Sequence, residues 1–279
     1  MSEDTPDETG AVAVSPGAAA LGDAAARREA LKQVFVESRG CTRCAQLVGG
    51  RTQVVFGAGH ADASLMLVGA APTAREDEEG TPFTGAAGKL LEDLLGSIGL
   101  ARADVFVTHV LKCRPPGNRD ADPSEVARCR PYLLDQIALV RPRVVCTLGN
   151  FATRALTGDP TAVTQRHGQP EVVELGGVAV YVMPLYHPAA ALYTRALLDT
   201  LRDDVSRLPE LLARPALPQP EPAAEAAAPS PDGPGPADEL APGGASDGPG
   251  APEDQPGAPA GSAADRSPAV EEPPQLGLF

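Results

Sequence analysis

The sequence predicts an α/β fold built on a mainly parallel sheet. Two observations carry that expectation. Short apolar runs alternate along the chain with stretches of helical periodicity. Composition confines the folded part to about 180 residues, enough for one domain with a real core. Residues Ala24–Ser38 read as a helix, and Ser64–Gly69 (SLMLVG) as a buried strand. Gly85–Ile98 reads as a helix with Leu90, Leu91, Leu94 and Leu95 on one face. Val105–Val110 is a second strand. Asp122 before Pro123 is an N-cap and first-turn signal that opens a helix toward Val140. Val144–Leu148 is a third strand, followed by a helix from about Asn150. Glu171–Leu175 and Val178–Met183 flank Gly176-Gly177, a hairpin signal. One last helix runs from Pro188 to about Leu211. No internal repeat is visible. In parallel sheets ligands bind at the carboxyl ends of strands, which selects the segments after Gly69, Val110 and Met183.

The boundaries come from composition. The 279 residues include 30 Pro, 29 Gly and no Trp, and 23 Lys+Arg against 37 Asp+Glu give a formal charge of −14. Residues 213–279 hold 16 of the Pro, 9 of the Gly, 11 acids and 2 bases, a net of −9. Such a segment has too little apolar surface to offset the entropy of ordering, so disorder is expected there. Residues 1–30 carry −4 and begin in low complexity, and residues 1–22 are expected to be disordered as well. The body between them is nearly neutral at −1. The charge that would discourage a nucleic-acid partner therefore sits in the tails. No apolar run reaches the ~18 residues of a spanning helix. The acidic start MSEDTPDETG lacks a basic-then-apolar export signal. A cytoplasmic, monomeric protein with no membrane partner is expected. Five cysteines, an odd number, then read as metal-binding or reduced.

Cys41 and Cys44 form a C-x2-C pair, and Cys113 and Cys129 follow in the same body. Four thiolates suit tetrahedral zinc or a [4Fe-4S] cluster, and spacing alone does not choose between them or exclude plain reduced thiols. Cys146, inside VVCTLG, is expected in the core. Arg39, Arg43, Arg51, Lys112, Arg114, Arg119, Arg128 and Arg130 lie near the cysteines in sequence. Drawn together they would form a surface able to neutralise phosphates, with Lys112, Arg114 and Arg119 as the candidate DNA contacts.

Five segments, in order, resemble the family 4 uracil-DNA glycosylases, the type with an iron–sulfur cluster: C41-T-R-C44, G69-A-A-P-T-A-R-E-D77, T81-P-F-T-G-A-A-G88, K112-C-R-P-P-G-N-R119 with Cys129, and H187-P-A-A-A-L192. The resemblance spans roughly residues 38–210. It implies a three-layer α/β/α sandwich with a four-stranded mainly parallel sheet over residues 23–212. It also implies a structural [4Fe-4S] cluster on Cys41, Cys44, Cys113 and Cys129, with zinc as the alternative. The activity it implies is excision of uracil or another deaminated base from DNA: the base is flipped out and its N-glycosidic bond hydrolysed. Phe83 then takes the place of the stacking aromatic. His187 takes that of the histidine that stabilises the departing base, aided by the dipole of the helix it opens. Gly69, Ala70, Ala71 and Thr73 take that of the substrate and water-positioning loop.

Two departures bear on mechanism. Ala70 stands where the family loop carries an acid, and methyl groups cannot orient or deprotonate water. Glu76 and Asp77 match a following acidic pair whose role is structural. His109 stands where an Asn amide reads the uracil edge. A neutral imidazole offers one donor and one acceptor on opposite sides of its ring, so the pairing must change, and His109 is itself a candidate acid, base or nucleophile. These departures leave open a catalytically weak or inactive DNA-binding paralogue and, further off, a cluster-bearing redox sensor.

The chain ends Gln275-Leu276-Gly277-Leu278-Phe279. Large apolar side chains at the end of a segment otherwise nearly free of them point to a partner groove. QLGLF looks like the bacterial sliding-clamp-binding pentapeptide, with Gln275, Leu276, Leu278 and Phe279 as anchors, and tethering would raise the local concentration at DNA. Nucleoid association within the cytoplasm follows from that expectation.

Overall fold

A computed structural model describes residues 22–220. The expectations for the acidic N-terminal segment, for most of the Pro-rich tail and for Gln275–Phe279 lie outside the described residues.

Helix α1 (Ala24–Arg39) starts at Asp23, whose carboxylate accepts from Ala26 N–H at 3.2 Å. It is followed by α2 (Ala45–Gly50), β1 (Ala58–Gly59) and β2 (Leu65–Gly69). Then come α3 (Ala74–Glu79), α4 (Ala86–Ser97) and β3 (Phe106–His109). Helix α5 (Pro123–Val140) opens with the expected Asp122 cap, completed as a capping box by Glu125. The chain continues through β4 (Val144–Leu148), α6 (Asn150–Thr157), α7 (Val163–Arg166), β5 (Glu171–Leu175) and β6 (Val178–Leu185). It closes with α8 (Pro188–Ala191), α9 (Arg195–Ser206) and α10 (Leu208–Ala213).

The strands form one sheet in the order β1-β3-β2-β4-β6-β5. The central four, β3-β2-β4-β6, are parallel, as expected. Two antiparallel edges widen the expected four strands to six: two-residue β1 on β3, and β5, the first arm of the expected hairpin, on β6. A very short edge on one side and an edge with alternating exposed residues on the other limit unwanted strand pairing. Along β2, Leu65 and Leu67 point to one face, packing with α4, α9 and α10, while Met66 and Val68 point to the other, packing with α1, α2, α5 and α6. The result is three layers with a separate core on each face. Cys146 is 0% exposed in β4, as expected.

The chain leaves β2 toward β3 on one side and returns to β4 on the other. That reversal opens a crevice at the carboxyl ends of the strands. Gly69 ends β2 there, His109 ends β3, and His187 follows β6.

Three differences have local causes. The single last helix is three helices: Thr194 before α9 is extended, and Pro209 starts α10 afresh after Arg207. The short helices α2, α3 and α7, of four to six residues, carry no periodicity to read. The folded part also outruns residue 212. The Gln219 side chain pairs with Ala179, accepting from its N–H (3.0 Å) and donating to its C=O (3.2 Å), beyond the first residue of β4. No helix among the described residues is long and apolar enough to cross a membrane.

Gly88, in the first turn of α4, sits under the Phe83 carbonyl: a Cβ there would fall 1.6 Å from that oxygen. Helix propensity favours Ala over Gly by about 1 kcal/mol, but backbone displacement of this size costs more. Gly88→Ala is expected to lower the melting temperature and to displace Phe83; a melting temperature equal to or above the parent's overturns this.

Candidate active site and its thiol neighbourhood

The Gly69–Thr73 turn continues the pairing of β2 with the β3 extension, because Val110 N–H donates to Gly69 O (2.9 Å) and Leu111 N–H to Ala70 O (3.0 Å). Thr73 then caps α3. Its N–H donates to Glu76 Oε2 at 2.7 Å, and its hydroxyl accepts from Glu76 N–H at 3.4 Å. The Thr73 hydroxyl only accepts in this cap and keeps its own proton, and the residue is exposed.

The other Glu76 oxygen, Oε1, accepts from Phe83 N–H and lies 3.4 Å from His109 Nε2. Burial alone would raise this carboxyl's pKa. The His109 contact and the Thr73 and Phe83 N–H groups outweigh burial and hold it down at about 2. Asp77 faces the other way and accepts from Thr52 N–H at 2.8 Å. Glu76 therefore ties the turn, the aromatic residue and the β3 histidine into one unit. The Thr73-x-x-Glu76 spacing of a capping box was the signal that could have found it.

Phe83 is 6% exposed and has φ 59°, a left-handed conformation unusual for a bulky residue. The Glu76 bond and the missing Cβ of Gly88 hold it there. Its ring stacks on His109 (5.1 Å between centroids, 18°) and on His187 (5.7 Å, 24°). His109 is 2% exposed and neither ring nitrogen has a hydrogen-bond partner. A side chain at Gly69 would fall 2.5 Å from His109 Nδ1, so only glycine fits opposite this ring. His187 precedes α8, and its Nδ1 accepts from Ala189 N–H at 3.1 Å. Burial and the neighbouring His109 lower its pKa to about 4, against the opposing pull of Glu76. A neutral imidazole whose Nδ1 accepts carries its proton on Nε2. Helix α8 is a single turn, so the dipole support expected from a long helix is largely absent.

Lys112 corrects the expected set of DNA contacts. It is 1% exposed, and its Nζ donates to Thr108 Oγ1 (2.6 Å), His109 O (2.7 Å) and Gln136 Oε1 (2.6 Å). A group so enclosed cannot meet a phosphate. Several of the expected surface arginines are also committed to the protein. Arg51 donates to Cys113 Sγ (3.0 Å) and Cys41 O (2.7 Å), and Arg119 pairs with Glu125 (2.6 Å). Arg114 donates to Asn118 Oδ1 at 3.0 Å, and Arg43 lies 4.7 Å over the Tyr132 ring. Arg39, Arg43, Arg119 and Arg128 remain exposed.

Cys41 and Cys44 flank the α1–α2 junction, Cys113 follows β3, and Cys129 lies in α5. All four pack against one hydrophobic core. Burial pushes Cys113 up and Cys129 up to about 11, and the other thiols of the set add to both effects. Two N–H groups point at sulfur, from Arg51 to Cys113 and from the Lys112 backbone to Cys129 (3.3 Å). As donor set and N–H shell the four suit an iron–sulfur cluster. They are not drawn in around one point: among the described residues no three His, Cys, Asp or Glu side chains gather as one ion requires.

Two open grooves meet at Arg119–Ala121. One, of about 640 Å³, runs beside Cys44 and the α5 N-terminus. The other, of about 280 Å³, lies between Ala70–Thr73 and Pro115, with Phe151 in its wall. Phe151, which no motif in the sequence singles out, follows the carboxyl end of β4, another position where ligands of parallel sheets bind.

The model of the Uracil DNA glycosylase superfamily matches residues 56–208. A type-4 uracil-DNA glycosylase of Archaeoglobus fulgidus is 41% identical over 190 residues, covering 67% of this chain and 95% of the relative. One of Thermotoga maritima is 39% identical over 171 residues, covering 61% and 87%. A type-5 uracil-DNA glycosylase of Pyrobaculum aerophilum is 34% identical over 206 residues, covering 63% and 88%. With these relatives and the β3-β2-β4-β6 sheet edge carrying Gly69, His109 and His187, the chain belongs to the uracil-DNA glycosylase superfamily, as a type-4 member.

Proposed function

We propose that this protein excises uracil from DNA by hydrolysing the N-glycosidic bond, leaving an abasic site. The observation that carries the reading is the stack of Phe83 with His109 and His187 at the carboxyl edge of the sheet. A flipped base is flat and needs such a face to lie against. Phe83 already stacks with both histidines, so an incoming base must join or part that stack.

Each histidine has its own task in this reading. Glu76 is a carboxylate at neutral pH and faces His109 Nε2, which places the proton there and leaves Nδ1 as an acceptor. An acceptor suits the imide N–H of uracil, since cytosine has no proton on that ring nitrogen, and Nδ1, buried against Gly69, meets the base once the ring turns from the Phe83 stack. His187 presents Nε2–H as a neutral donor. As the bond breaks, negative charge develops on the base, and a fixed donor aimed at it lowers the barrier. No general base stands in the Ala70–Thr73 turn, and Glu76 is buried with each oxygen already accepting an N–H group. The chain's residues therefore act on departure of the base, and water captures the sugar cation afterwards. Ala70 also favours a second reading, a slow or inactive DNA-binding paralogue, and the same assay decides between the two.

Cys41, Cys44, Cys113 and Cys129 are proposed as the ligands of a [4Fe-4S] cluster, which would supply a rigid tie between α1–α2, the segment after β3, and α5. Exposed Arg119, with Arg114 beside it, is proposed to meet DNA phosphates along the joined grooves. The terminal Gln275–Phe279 is proposed as a sliding-clamp ligand in the cytoplasm, supported by its isolated apolar side chains.

Oligonucleotides containing uracil, offered single- and double-stranded with alkaline cleavage as readout, are expected to yield abasic product. His187→Ala should lower kcat by about 10²–10³-fold. DNA binding without product from uracil would leave the paralogue reading. Purified protein is expected to show iron–sulfur absorbance and about four iron atoms per chain, lost in Cys113→Ser; a colourless protein holding one zinc would refute the cluster. Removing Gln275–Phe279 should abolish capture by the clamp, and undiminished capture ends that proposal.

A further inference from the structure

We propose that Lys112 is a positioning residue that couples the thiol neighbourhood to the base-reading ring of His109. The inference rests on the reading of His109 as a base contact given above. Lys112 lies three residues beyond β3, and its side chain folds back along that strand. The three donors of its ammonium meet three acceptors: the Thr108 hydroxyl, the His109 carbonyl and the Gln136 amide oxygen. Its own backbone N–H donates to Cys129 Sγ at 3.3 Å. One residue thus grips the end of β3, the middle of α5 and a thiol.

The acceptors are themselves fixed. Thr108 Oγ1 donates to Phe56 O at 2.7 Å, and Gln136 Nε2 donates to the same oxygen at 2.8 Å. Thr108, His109, Lys112, Gln136 and Phe56 are all 0–2% exposed. Water cannot enter to replace a lost partner, so a partly broken network of this kind is costly and moves as a unit. The carbonyl that Lys112 holds belongs to the residue whose ring packs on Phe83 and faces the bare Cα of Gly69. A shift at Cys129 is carried by Lys112 to the His109 peptide, and the tightly packed ring turns with it. The thiol site therefore tunes recognition of the base itself, a ligand that carries no phosphate, in addition to shaping a DNA-facing segment.

The test uses the full-length protein with its metal, free uracil as the ligand, and ¹⁵N-histidine NMR with the His109 ring signals assigned through His109→Gln. Lys112→Met keeps the side-chain length and removes the donors. We expect free uracil to bind about tenfold or more weakly and the His109 ring signals to shift, while iron content and visible absorbance match the parent. Gln136→Leu removes one acceptor without touching either site and should produce a smaller shift in the same direction. Parent-like His109 signals and uracil affinity in both variants overturn the coupling. If Lys112→Met does not accumulate as folded protein, Gln136→Leu decides by the same criterion. The NMR readout needs no excision, so a parent inactive on uracil DNA would count against the proposed activity and not against this coupling.

Discussion

The pocket depends on one buried carboxylate. Glu76 spends one oxygen on the turn that ends β2 and the other on Phe83 and His109. An ionised carboxylate in such surroundings is stable only because N–H groups and a histidine converge on it. Those same groups belong to the loop after β2, to Phe83 and to His109. Satisfying the charge and assembling the site are one event. The left-handed backbone at Phe83 makes sense in this light, because its N–H must turn inward to reach Glu76.

Two substitutions that looked damaging in the sequence take on a more specific meaning. Ala70 removes the acid that would sit beside an attacking water. The proposed route, in which the base departs before water arrives, rests on the polar groups that remain. His109 puts a ring in place of an amide, with Nε2 3.4 Å from Glu76 and Nδ1 against the bare Cα of Gly69.

The strands and the helices of more than one or two turns were legible because continuous apolar runs and helical periodicity are local signals. Leu65–Gly69, Val144–Leu148 and the Asp122-Pro123 start of α5 all fall where those signals put them. The last helix was read too long because periodicity carries across a break that only the extended Thr194 reveals. Lys112 departs from expectation for a different reason. A lysine in a basic run defaults to the surface, and its burial depends on Gln136, 24 residues further along. Membership of a buried polar network is a property of the fold and leaves no local mark. Glu76 lies between these cases: its cap spacing is local, but its bonds to Phe83 and His109 are not.

The Gln219 amide acts as a one-residue strand. It offers a carbonyl and an N–H to Ala179 where β4 no longer reaches, and it pins the exit of the chain to the amino-terminal edge of the sheet. From there to the His187 end of β6 is about 20 Å at the usual strand rise. The last described residues thus lie at the edge of the sheet opposite the crevice. Loosening the Gln219 clasp would strip the start of β6 of a backbone-like partner at that edge and leave Gly69, His109 and His187 at the opposite edge untouched.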